Sequence, residues 1–140
     1  MGGQNVEVIH ANVVLRYLVD DGDQATRAGL LLQAADQEEK TLLLPDLALA
    51  DIVWVLETVY KTPRPEIRDA VSVLLSVRGL KFSAGKALVA DALALYAEKN
   101  IDWSDAFIAA QMTALKLRTI YSFDKDFDRI PGIQRIEPMF

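Results

Sequence analysis

The sequence predicts an α/β fold with a mostly parallel sheet covered by helices on both faces. Short apolar runs recur at residues 6–9, 41–44, 80–82, 118–122 and 133–136, the length of buried strands rather than helices. Longer segments with three- to four-residue apolar spacing and recognisable caps lie between most of them. Strands separated by helices call for right-handed crossovers and parallel neighbours. No repeat, low-complexity stretch or linker interrupts the 140 residues, so a single domain over 1–140 is expected.

Residues 6–9 predict a buried strand, after which Asn12 suits the cap of a helix running through Leu15 to residue 19. Asp20-Asp21-Gly22-Asp23 is a turn, with Asp23 as N-cap of a helix to about residue 39. The strand over 41–44 is closed by Pro45, and Asp46 opens an apolar helix through Val53, Trp54 and Leu56 to about residue 60. Thr62 caps the next helix, with Pro63 at its first position and Pro65 tolerated in the same turn. That helix continues through Ile67, Val71 and Leu74 until Gly79 ends it before the strand over 80–82. Ser83 starts a helix with Leu88, Ala92 and Leu95 on one stripe and Asn100 near its end. Asp102 starts another, carrying Phe107, Ile108 and Met112. A strand over 118–122, a turn and short helix over 124–130 and a strand over 133–136 complete the chain.

Hydrophobic residues make up 51% and charged residues 25%, a globular balance that excludes disorder and fills a core. Cysteine is absent, which excludes disulfides and thiolate metal sites and fits a reducing cytoplasm. Met1-Gly2-Gly3-Gln4-Asn5 lacks the basic start and apolar run of a secretory signal. The most hydrophobic stretch, 42–60, contains Pro45, Asp46, Asp51 and Glu57. Each acid would cost roughly 3 kcal/mol at a bilayer centre, so no membrane span is expected. A net charge of −5 argues against gripping nucleic acid through a broad basic surface.

Ligands of parallel sheets bind beyond the carboxyl ends of the strands. His10 and Asn12 follow the first strand, and Asp124, Asp126 and Asp128 follow the strand ending near Ser122. Asp102 and Asp105 open the helix that feeds that strand. Asp51 lies between Leu47 and Val55 at four-residue spacing, interrupting an apolar stripe. A carboxylate there would need a cation, a hydrogen-bond network or a metal. Each residue also has a plain structural role open to it: helix start for Asp102 and Asp105, cap for Asn12, partly buried imidazole for His10, solvated turn for Asp128. Together, carboxylates on one edge with no basic cluster beside them suit a hard divalent cation such as Mg²⁺. Such a site supports phosphodiester hydrolysis.

The order strand–His10–Ala11–Asn12, then Leu15-Arg16-Tyr17-Leu18, then Pro45-Asp46-Leu47-Ala48-Leu49-Ala50-Asp51, resembles a PIN domain of the VapC toxin type. Asp102-Trp103-Ser104-Asp105-Ala106-Phe107 and Ser122-Phe123-Asp124-Lys125-Asp126-Phe127 carry the same resemblance. It implies a three-layer α/β/α sandwich and a Mg²⁺- or Mn²⁺-dependent endoribonuclease acting on RNA. It also implies a dimer and inhibition by a small antitoxin.

By the same resemblance the first family aspartate falls at His10, and Asn12 matches the asparagine two residues on. Asp51 takes the second acid position, Asp105 the third, and Asp124 the fourth with Asp126 a second candidate. Ser122 matches the hydroxyl residue of that strand end, and Arg16 would touch a substrate phosphate. His10 is the departure, because imidazole suits Mn²⁺, and Zn²⁺ better still, more than Mg²⁺. It implies weakened metal binding, a softer metal, or a general base for water. Two functions from different classes follow. One is a ribonuclease whose cation is held by Asp105 and Asp124 while Asp51 orients a ligand or water. The other is a catalytically degenerate PIN domain that binds protein, with Val53, Trp54 and Val59 available as a dimer surface or as core. A phosphoacceptor of response-regulator type would need acids after strand one, where His10 stands.

Overall fold

The computed structural model describes residues 5–139 and divides into two compact units, Met1–Lys86 and Ala87–Phe140. It is a mixed α/β structure with a central parallel sheet of three strands. The stretch without a secretory pattern lies mostly outside the described residues.

The first unit runs β1 (Val6–Val8), α1 (Ala11–Val19), α2 (Asp23–Asp36), β2 (Thr41–Leu44), α3 (Asp46–Thr58), α4 (Arg64–Ser76) and β3 (Leu80–Phe82). Its sheet order is β1-β2-β3, all parallel, with Val6 opposite Thr41 and Leu42 opposite Leu80. Leu42, Leu44, Leu80 and Phe82 are buried in it, and Val14, Leu32, Ile52, Ile67 and Val71 are buried on the helices. Parallel strands end at a common edge, which places His10, Pro45 and Ser83 along it. Asp46 braces that edge, its carboxylate accepting the Ala84 N–H at 3.1 Å.

Several local expectations shift. The first strand forms, but Val6 and Val8 are 52% and 67% exposed and only Ile9 is buried. β1 is an edge strand of the three-stranded sheet, with one hydrogen-bonded neighbour there. The cap of α1 is His10, not Asn12. Asp23 is the first residue of α2 rather than its cap, and forms an ion pair with Arg27 one turn on at 3.0 Å. Pro63 caps α4 and Pro65 lies within its first turn. Gly79 does more than end a helix. A Cβ there would collide with the carbonyl oxygens of Ala35 and Lys40, and its own N–H donates to Ala35 O at 2.9 Å.

The second unit holds α5, which begins at the boundary (Lys86–Glu98), α6 (Trp103–Ala114), β4 (Thr119–Tyr121), a 3₁₀ helix (Lys125–Arg129) and β5 (Gln134–Ile136). β4 and β5 pair in parallel, Ile120 opposite Arg135. Ser83 does not start α5, because a turn through Gly85 at φ +88° precedes it. The buried stripe of α5 is Val89, Ala92, Leu93 and Tyr96, displaced from the Leu88–Leu95 stripe. Tyr96 meets Trp103 edge-to-face at 5.9 Å, which seats the start of α6 against α5. Among the described residues no helix is long and apolar enough to cross a membrane.

Candidate active site

Asp105 occupies the third position of α6, after Asp102 at the N-cap position. The turn after β4 is built by its own polar side chains. Ser122 Oγ accepts the Asp124 N–H at 2.9 Å, and Asp124 Oδ1 accepts the Asp126 N–H at 2.9 Å. Asp124 thereby caps the 3₁₀ helix and brings its carboxylate to Asp105. The Asp105 carboxyl is raised above the ordinary aspartate value, first by burial, then by the negative charges of Asp124, Asp102 and Asp126, and by a side-chain hydrogen bond with Asp124.

Asp126 is compensated differently: Arg129 pairs with it at 3.0 Å and also donates to Asn100 O at 3.0 Å. Asp128 receives the fork of Arg135 at 3.0 and 3.2 Å, which holds its carboxyl below the usual range. Arg135 also donates to Ser122 O at 3.1 Å and to Glu137 at 2.9 Å, and its own pKa is pushed up. The expectation of acids without basic neighbours is therefore corrected: Arg129 and Arg135 balance the outer acids, and among the described residues no ion pair reaches Asp105 or Asp124.

The remaining candidates lie in the first unit. His10 Nδ1 accepts the Asn12 N–H at 3.2 Å, so it does for α1 what a capping carboxylate would do. An imidazole whose Nδ1 accepts carries its proton on Nε2. Capping and metal ligation by neutral His10 therefore compete. Asn12 and Arg16 are exposed on α1. Asp51 is exposed too, which overturns the expectation that it interrupts a buried stripe. α3 buries Ala48, Leu49, Ile52, Val53 and Leu56 and leaves Leu47 and Trp54 exposed either side of Asp51. Val53 is core, whereas Trp54 and Val59 are each 61% exposed.

The sequence profile of the PIN domain matches residues 8–133. The chain belongs to the PIN domain family. A VapC ribonuclease of Aquifex aeolicus (strain VF5) is 19% identical over 133 residues, which is 95% of this chain and 97% of that protein. Membership and this relative support a nuclease-type function at the level of the family.

Among the described residues of this PIN domain, no group of three or more His, Asp or Glu side chains is arranged to hold a metal ion. A Mg²⁺ site does not require three, because one or two carboxylates completed by waters and substrate phosphate suffice. The Asp105–Asp124 pair fits that donor set: the two carboxyls adjoin, and among the described residues no ion pair reaches either. Sequence reasoning passed over Arg135, which organises the segment behind Asp124. The sequence offered little signal for it, since β5 is Gln134-Arg135-Ile136 with only one apolar residue; its side chain proves only 12% exposed.

Proposed function

We propose that this PIN domain is a metal-dependent endoribonuclease of the VapC type, weakened by His10, working as a single domain over residues 1–140. The observation that carries the reading is the turn in which Ser122 and the Asp124 cap bring the Asp124 carboxylate to Asp105 in the first turn of α6. Asp105 and Asp124, as carboxylates, would hold Mg²⁺ or Mn²⁺. A bound divalent ion would polarise the phosphate and lower the pKa of bound water, making hydroxide available as the nucleophile. Ser122 fixes the Asp124 turn through its backbone N–H, and Arg135 fixes Ser122 through its carbonyl. Asp126, already paired with Arg129, serves as a secondary support, and Asp51 would orient a ligand or water. Asn12 and Arg16 face substrate RNA, Arg16 as a phosphate contact. A small antitoxin, a homodimer and a cytoplasmic setting complete the proposal, by family resemblance.

His10 favours a second reading, a catalytically degenerate PIN domain acting as a protein-binding module. It puts a capping imidazole where the family resemblance places a carboxylate. Cleavage of structured RNA in Mg²⁺ and in Mn²⁺ separates the two readings. His10→Asp, whose side chain is a strong helix cap, should cleave at least about tenfold faster than the natural chain. Asp105→Asn should abolish cleavage. Equal rates in the natural chain and His10→Asp would acquit His10. An unchanged rate in Asp105→Asn would remove the carboxylate pair from the site. Cleavage by neither the natural chain nor His10→Asp would favour the binding module.

A further inference from the structure

A groove between α1 and α2 joins Asn12, Val13 and Arg16 on one face of α1 to Gln24, Arg27 and Leu31 on one face of α2, around a cavity of about 370 Å³. Its floor is apolar, with Ala28 buried and Val13 and Leu31 half-buried. Its rim is exposed and polar, two guanidiniums and two carboxamides. No acidic side chain lines it, although the chain as a whole carries −5. Among the described residues Arg16 has no ion pair, and Arg27 has only the solvent-exposed Asp23. Guanidinium forks match phosphate oxygens, and an exposed carboxylate partner is easily exchanged for one. Carboxamides both donate and accept, which a base edge requires and an acidic side chain does not. Half-buried Val13 and Leu31 leave apolar surface that the face of a base can cover.

We propose that this groove is a nucleotide subsite for single-stranded RNA. Arg16 and Arg27 grip one backbone phosphate, and Asn12 and Gln24 meet the edge of a base laid over Val13 and Leu31. The subsite rests on the ribonuclease reading, and adds α2 to the substrate contacts. Because Asn12 is two residues from His10, the groove opens beside the carboxyl end of β1.

The test is fluorescence anisotropy with a labelled single-stranded RNA, in chelator to prevent cleavage, over a range of salt. Arg16→Ala and Arg27→Ala should each weaken binding about tenfold and reduce the slope of log affinity against log salt by about 0.7. Gln24→Ala should change the preferred base while leaving that slope intact. Arg68→Ala, which removes an exposed guanidinium from α4, should bind within about twofold of the natural chain. Natural affinity and slope in both arginine variants would overturn the subsite, as would a natural chain that binds no RNA. Tighter binding of a polyglutamate peptide, lost in the same variants, would also overturn it and reassign the groove to an acidic protein segment. If the groove variants bind normally while the chain cleaves RNA with Mn²⁺, the subsite falls and the nuclease reading stands. If they lose RNA binding while the chain never cleaves, the subsite stands and the nuclease reading falls.

Discussion

Asp105 is subject to two opposing influences. Its place in the first turn of α6 favours the carboxylate by about 0.3–1 kcal/mol, through the positive end of the helix dipole. Partial burial and the charges of Asp124, Asp102 and Asp126 oppose this and prevail, because its pKa is raised. A carboxyl raised in the folded state keeps its contribution to stability below the unfolded value of 3.8 and loses it as pH climbs through the raised folded value. Asp105→Asn should therefore melt above the natural chain at neutral pH in metal-free buffer, with the gain vanishing below 3.8. Thermal melts across that range check this, and parallel curves would refute it. Asp128 behaves in the opposite sense. Arg135 holds it ionised, so its contribution stands at neutral pH and is lost only as pH falls through its lowered value. The acids themselves were legible from strand ends and helix starts. Their compensation was not, because Arg135 reaches Asp128 and Ser122 only once β5 lies beside β4.

At the level of elements, strands and helices could be read from apolar runs and punctuation, whereas the buried face of an element often could not. α3 is apolar nearly all round, so spacing could not tell the Leu47–Asp51–Val55 line from the Ala48–Ile52 line that the fold buries. α5 has the same ambiguity and was displaced by one stripe. His10 was missed as a cap because imidazole is an uncommon one, while Asn12 is a common one. Gly79 reads as a helix breaker in sequence, but its necessity comes from the close approach of its own backbone to the Ala35 carbonyl of α2 and the Lys40 carbonyl just before β2. Gly79→Ala should cost about 1–3 kcal/mol, by forcing apart the Ala35 and Lys40 carbonyls. Chemical denaturation measures this, and a loss under about 0.5 kcal/mol would show that those carbonyls yield freely.

Across the whole molecule, the PIN profile covers residues 8–133 and so runs through both compact units. The net charge of −5, which first counted against a nucleic-acid enzyme, is unevenly spent. Asp105 and Asp124 concentrate negative charge where a divalent cation would offset it, while the α1–α2 groove carries arginines and no lining acid. Global acidity is therefore compatible with RNA, and the decisive question is whether the carboxylate pair takes up a metal. Calorimetric titration of Mn²⁺ into the natural chain and into Asp105→Asn answers it most directly. One site is expected in the natural chain, with affinity falling in the variant by more than the roughly tenfold that losing an outer-shell partner costs. Equal Mn²⁺ affinity in the two proteins, or no binding to either, would contradict it.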